Sequence, residues 1–301
     1  WSFITQSTQT SLQYVNGNTT STGSNMVLGD SGLTTGSLGL ANTAKIYAGN
    51  LTVPYYLKGV DTSPADILST FWLNNGDNAG GNSALPNPSS PGSKVPCAAF
   101  SAMENKSVST TKCFPRPLKL SDKKIPVVVT VPQVGTMPST GWPVVIFQHG
   151  ITRSRADMLA LAPGLAAAGF VTVAIDLPLH GIATTDTAAA LRNSAGSTER
   201  TFDVDLVNNA TGAPPSDGVA DASGTHFINL GSLITSRDNI RQGVADLIKL
   251  TKTLGAGDPL VVSGAAVDID SSRIHYVGHS LGGIVGTTFL GVNTDIKHSV
   301  L

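Results

Sequence analysis

The sequence is short of charge, of cysteine and of long apolar runs, and each shortage removes a class of function. Only 13% of its 301 residues are charged, and 19 basic against 20 acidic side chains leave a formal net charge of −1. Such a chain lacks the basic face that holds nucleic acid, so no nucleic-acid partner is expected. Two cysteines, Cys97 and Cys113, give no metal site at their spacing, and no metal or cofactor is expected. No apolar run reaches the ~18–20 residues of a membrane-spanning helix, and no signal-peptide pattern is present. The first residue is Trp1 rather than Met, so the sequence is expected to start after a processing site or at an ordered boundary, with any export signal or lipid anchor before it.

Glycine, serine, threonine, asparagine and alanine are abundant, whereas lysine and glutamate are scarce, a composition that points to a secreted protein. In that setting Cys97 and Cys113, with Pro96 and Pro115 nearby, pair most simply as one disulfide contributing roughly 3 kcal/mol. The alternative is two unpaired buried thiols. The length suits one large α/β domain, or a core with an appendage. The expected division is a β- and loop-rich region over 1–124 and an α/β core over 125–301.

The most informative stretch is Gly278-His279-Ser280-Leu281-Gly282, fed by the β-prone run 274–277 and followed by a small, apolar, helix-like segment. This is the G-x-S-x-G pattern of a nucleophile elbow. A serine on a strained strand-to-helix turn needs tiny neighbours two residues either side, and Gly278 and Gly282 meet that need. The following helix would aim its N-terminal N–H groups at a developing oxyanion, with Leu281 N–H the first donor. A chance match in a chain with 32 glycines is the competing reading.

Upstream, residues 1–40 are polar and broken by glycines, which predicts loop with short strands. The stretch 44–57 predicts a hairpin or two edge strands, with Gly49-Asn50 at its middle. A loop-rich segment follows over 73–117. Residues 125–131 and 143–147 are buried strands, the second ending in His149-Gly150-Ile151, where Ile151 N–H would be the second oxyanion donor. Ser154 to Asp157 predicts a capping box starting a helix whose buried face is Met158, Leu161, Ala162 and Leu165; Pro163 kinks or restarts it and Gly169 stops it. A strand over 170–175 ends in Asp176, and Asp176 and His180 are assigned to organising the loop rather than to catalysis. The segment 182–227 interrupts the alternation and is either a lid or a solvent-exposed excursion, with His226 structural. Ser236 is expected to cap a long helix with Ile240, Val244, Leu247, Ile248 and Thr251 on one face, ended by Gly255. Asp268 and Asp270 are assigned to a turn rather than to a calcium site.

With the His149-Gly150 turn, the strand end from Ala174 to Gly181, the Arg237-Asp238-Asn239 helix start and the 278–282 elbow, the chain resembles an α/β-hydrolase: a doubly wound, mostly parallel sheet. More narrowly it is similar to the bacterial virulence-factor lipases, the surface lysophospholipase group typified by VolA. The resemblance implies esterase, lipase or lysophospholipase chemistry on acyl esters, outside the cell or at the bacterial outer-membrane surface, with peripheral contact to membrane lipid. Ser280 would be the nucleophile and Ile151 and Leu281 the oxyanion donors.

The family places its acid and histidine after later strands, whereas this sequence ends 21 residues beyond Ser280 (301 minus 280). Asp295 and His298 are the only downstream candidates. A helix running to about Gly291 would carry them roughly 15 Å away at ~1.5 Å per residue. The catalytic acid and histidine are therefore expected beyond Leu301, in a C-terminal remainder that stays associated, and residues from His298 onward begin the next strand. The competing functions are a hydrolase-like surface binding or structural protein, and a thioesterase, peptidase or perhydrolase on the same scaffold. The shape of a pocket between Ile151, Leu281 and the 182–227 segment would separate them.

Overall fold

The computed structural model describes residues 8–21, 25–59, 63–76, 84–86, 90, 93–97, 109–192, 198–257, 260–262 and 265–301. Trp1, Asp77, Pro88, Pro91 and residues 193–197 of the interrupting segment lie outside them. In chain order the elements are α1 (Thr8–Asn18), β1 (Met26–Thr34), β2 (Ala44–Tyr55), β3 (Ala84–Pro86), β4 (Lys94–Pro96), β5 (Ser121–Pro132), β6 (Trp142–Gln148), α2 (Ala162–Ala167), β7 (Val171–Ile175), α3 (Leu233–Gly255), β8 (Leu260–Val262), β9 (Ala265–Val267), β10 (Ile269–Gly278), α4 (Leu281–Leu290) and β11 (Ile296–Val300).

Nine strands form one sheet in the order β11-β10-β6-β7-β5-β2-β1-β8-β9. The neighbours β11, β10, β6 and β7 are parallel, while β5 runs against both β7 and β2. The run Val127 to Val129 reads as continuously apolar because the sheet is covered on both faces. Val127 and Val129 meet Val144, Ile146, Ile274 and Tyr276 beneath α3 and α4, whereas Val128 meets Phe147 and Ala174 beneath the 3-10 turn Arg155–Ala160. Fully burying each such aliphatic side chain contributes roughly 1.5–3 kcal/mol. The sheet is mixed rather than mostly parallel, with β11, β10, β6 and β7 forming its parallel part and β5, β2 and β1 its antiparallel part; helices on both faces of it give the α/β-hydrolase architecture. Among the described residues no helix is long and apolar enough to cross a membrane.

Several local expectations change. Thr8–Asn18 is a helix where loop with short strands was expected, and Met26–Thr34 is a nine-residue strand. Within the stretch 44–57, Ala44–Tyr55 is one unbroken strand, not a hairpin: Gly49 sits mid-strand because a Cβ there would lie 1.9 Å from Val27 O. The boundary drawn between 124 and 125 falls inside β5, which pairs along its whole length with β2. Cys97 and Cys113 are disulfide-bonded, with Cα atoms 5.5 Å apart.

The capping box is also only half formed. Ser154 Oγ accepts from Ala156 N, but Asp157 turns to Arg153, and the segment winds as a 3-10 turn before α2 restarts at Ala162 beside Pro163. Leu161 is 44% exposed rather than buried, because the restart rotates it outward. Gly169 does end the segment, at φ +80°.

Helix α3 begins at Leu233, earlier than expected, with Ser232 at its N-cap. Ser236 lies inside the first turn, where its hydroxyl accepts from Asn229 N at 2.7 Å and donates to Asn229 O at 3.0 Å. The helix is buried on nearly every side, and its polar residues tie down the chain around it. Asp238 accepts from Trp72 N, Gln242 accepts from Tyr56 N and donates to Pro54 O, and Asn239 donates to Phe227 O.

Candidate active site

Ser280 occupies the turn between β10 and α4 with φ +53° and ψ −112°, a conformation that L-residues adopt only where the surroundings impose it. The imposition comes from close packing of backbone on backbone. A Cβ on Gly278 would lie 2.6 Å from Gly282 C, and one on Gly282 would lie 2.2 Å from Gln148 O. Strand β10 therefore lies against the first turn of α4, and that turn against the end of β6. His279 N donates to Gln148 O at 2.9 Å, tying the elbow to the same strand end. Ser280 is exposed, and its hydroxyl has no hydrogen-bond partner among the described residues.

The turn after β6 comes up beside the serine. A Cβ on Gly150 would sit 3.2 Å from Ser280 Cβ and 3.2 Å from His279 Nδ1, so only glycine fits without displacement. Neither Ile151 N nor Leu281 N donates to a described residue. His149 is fully buried: Leu177 N donates to its Nε2 at 3.0 Å, so its proton is on Nδ1, which donates to Gly150 O at 2.8 Å. Burial holds its pKa below the ordinary value although Asp176 is 3.7 Å away.

Beneath this turn lies a buried ionic cluster that the sequence did not disclose. Arg155 Nη1 binds Asp176 Oδ2 and Glu199 Oε2, Arg155 Nη2 binds Glu199 Oε1 and Leu191 O, and Arg155 N donates to Asp176 Oδ1. Burial opposes ionisation of Asp176, but the Arg155 charge and its N–H bonds outweigh that and hold its pKa below the ordinary value. Asp176 thus organises the loop, as expected. So does His180, whose Nδ1 lies 2.9 Å from Pro178 O and whose ring packs 4.9 Å from that of His149. Nothing in Ser154-Arg155-Ala156-Asp157 marks Arg155 as buried. A second buried pair, Arg200 with Asp246 of α3, anchors the far side of the 182–227 segment.

The segment 182–227 is neither a free lid nor a simple excursion at its ends. Glu199 accepts from Ile182 N, Ser223 Oγ donates to Arg153 O and accepts from Gly181 N, and Gly224 N donates to Leu179 O. His226 pairs with Asp221 at 2.7 Å, within the segment. Asp270 lies within β10 rather than in the turn expected for it, where it accepts from Ser272 N and Oγ and from Arg273 Nε; among the described residues no group of three or more acidic, histidine or cysteine side chains could hold a metal.

Neither downstream candidate reaches Ser280. Asp295 turns back on Asn293, and His298 lies on β11 with Nδ1 3.2 Å from Nδ1 of His275 on β10. The cavity beside the elbow measures about 1070 Å³, but its walls differ from those expected. Leu38, Leu40, Phe147, Leu159, Leu161 and Val277 line it with Gly278 and His279, and Asp186 to Ala188 form its contribution from the 182–227 segment. Ile151 and Leu281 are not among its lining residues, because the groove opens on the His279 side of the elbow.

No protein-family model matches the chain, and no curated protein matches it. Solved structures do. An acetyl xylan esterase from Paenibacillus sp. R4 is 20% identical over 59% of this chain and 43% of its own, with a TM-score of 0.34. A ferulic acid esterase from Streptomyces cinnamoneus is 14% identical over 58% of this chain and 50% of its own, with a TM-score of 0.36. An epoxide hydrolase from Vigna radiata is 21% identical over 58% and 35%, with a TM-score of 0.29. The chain thus spans about half or less of the length of each. Likenesses this distant carry no chemistry, and the α/β-hydrolase fold of this chain rests on its own strand order and on the elbow at Ser280.

Proposed function

We propose that the chain carries the nucleophile side of a serine carboxylic-ester hydrolase of the lipase, esterase or lysophospholipase type, acting outside the cell or at the bacterial outer-membrane surface. The observation that carries this reading is Ser280 itself, exposed at φ +53° on a glycine-walled turn at the N-terminus of α4. Ser280 Oγ attacks the ester carbonyl carbon and its proton passes to a general base. Ile151 N–H and Leu281 N–H stabilise the oxyanion; the alkoxide leaves protonated as alcohol, and water hydrolyses the acyl-enzyme.

The base comes from residues beyond those of this chain. Each of its six histidines is otherwise placed: His149 and His180 are buried and bonded to loop backbone, His226 is paired with Asp221, His275 and His298 face each other, and His279 makes no bond to the serine hydroxyl. That same observation favours a second reading, a hydrolase scaffold used as a surface binding protein.

Fluorophosphonate labelling of the native protein, read with its intact mass, separates the two. Label on Ser280, abolished in Ser280→Ala, together with a longer or co-purifying polypeptide, is expected. A native protein ending at Leu301 that takes no label would sink the hydrolase reading.

A further inference from the structure

On the α3 side of the sheet, a polar cavity of about 560 Å³ lies between α1, β2, the segment 117–122 and α3. It shares no lining residue with the elbow groove. Tyr14, Thr52, Tyr56 and Asn75 contribute to its walls, Lys119 and Asp122 also line it, and Lys249 of α3 reaches it from the core.

Lys249 is only 7% exposed. Its ammonium donates to two neutral oxygens, Thr20 O at 2.7 Å and Asn25 Oδ1 at 2.8 Å, and its third N–H has no acceptor among the described residues. A buried cation is costly unless an anion faces it. The other buried cations obey that rule: Arg155 faces Asp176 and Glu199, Arg200 faces Asp246, and Arg241 faces Asp238. Lys249 alone among the described buried cations has no carboxylate paired with it. The carboxylate that shares its cavity, Asp122, is taken by Lys119 at 2.8 Å. Burial lowers the Lys249 pKa; the Asp122 charge works against that shift and the Lys119 charge with it.

We propose that this cavity binds a small polar molecule through an oxyanion group, carboxylate or phosphate, with Lys249 as the counter-ion at its floor. The inference is independent of the chemistry at Ser280. An anion there would complete the third hydrogen bond of Lys249 and neutralise its charge, and the tyrosine, threonine and asparagine walls suit the polar remainder of such a ligand.

Isothermal titration calorimetry of the full chain at fixed ionic strength tests it, with sodium phosphate and sodium glucuronate as probes and sodium chloride as control. Saturable binding of one probe with a Kd below about 1 mM is expected, weakened about tenfold or more in Lys249→Met. Asp122→Asn removes the negative charge of the cavity without touching the Lys249 bonds, and is expected to tighten binding about threefold or more by the same relation. Phosphate binding without glucuronate binding assigns the phosphate source, and the reverse assigns the carboxylate. Absence of saturable binding by both probes, or equal affinity in Lys249→Met, overturns the proposal. Should Lys249→Met fail to fold, Asp122→Asn decides: tighter binding supports the site, and unchanged or weaker binding overturns it.

Discussion

The phenol of Tyr276 donates a 2.6 Å hydrogen bond to the carbonyl oxygen of Gly282, joining the elbow strand to the first turn of the helix that follows Ser280. The ring fills the gap so closely that a Cβ on Gly286 would lie 2.4 Å from its Cε1. Burial raises the phenol pKa, so the donor keeps its proton at all working pH values. Tyr276→Phe is expected to cost about 1 kcal/mol in urea unfolding. It should also slow fluorophosphonate labelling of Ser280, because the turn loses one of its ties. Labelling at the wild-type rate would show that the backbone contacts alone hold the elbow.

Gly282→Ala should be far more damaging. Its new Cβ would meet the carbonyl oxygens of Gln148 and His149 at 2.2 Å and 2.9 Å, both backbone atoms that cannot swing aside. A loss of about 3 kcal/mol or more is expected, together with loss of labelling. Gly164→Ala in α2, where nothing lies within 4 Å, is the control and should be neutral or stabilising by about 0.5 kcal/mol.

Arg155→Met leaves Asp176 and Glu199 buried without their counter-charge. An unfolding penalty of about 3–5 kcal/mol is expected. The triple variant with Asp176→Asn and Glu199→Gln removes those charges as well and should recover part of the loss. Equal penalties for the single and triple variants would mean that packing around the guanidinium, not charge pairing, is what matters.

Acid should destabilise the fold through His180. Burial pushes its pKa down to about 3 from 6.5, so between those values the unfolded chain binds more protons than the native one. Stability from this group is complete above pH 6.5 and is lost as pH falls towards 3, by about 1.4 kcal/mol per pH unit within the window. Asp246 works in the opposite sense: burial raises it to about 6 from 3.8, so its contribution is full below pH 3.8 and lost as pH rises through 6. Urea midpoints at pH 4 and pH 7 should draw closer together in His180→Asn and further apart in Asp246→Asn.

The parts of the fold that were legible are those where one local signal decides. Val127 to Val129 and Pro143 to Phe147 could only be covered strands, and Gly278 and Gly282 announced the close approach around Ser280. Gly49 misled because a glycine mid-strand and a glycine in a turn look alike until the partner strand is known; here Val27 O approaches it. Arg155, Lys249 and Asp246 carried no signal, since burial of a charged residue depends on partners such as Glu199 that lie far away in sequence. Helix α3 was legible as a helix but not as a central anchor. Its Asp238, Gln242 and Asp246 look like a solvated face, yet each meets loop backbone or a buried arginine.

The pairing of Leu28 with Val262 joins β1 to β8 across 234 residues of chain (262 minus 28). During synthesis at ~5–20 residues per second, the outer edge of β1 waits roughly 12 to 47 s for that partner. That pairing is a single residue pair, so the β8–β9 hairpin covers only a short part of the outer edge of β1 and passes the exposed edge of the sheet on to β9.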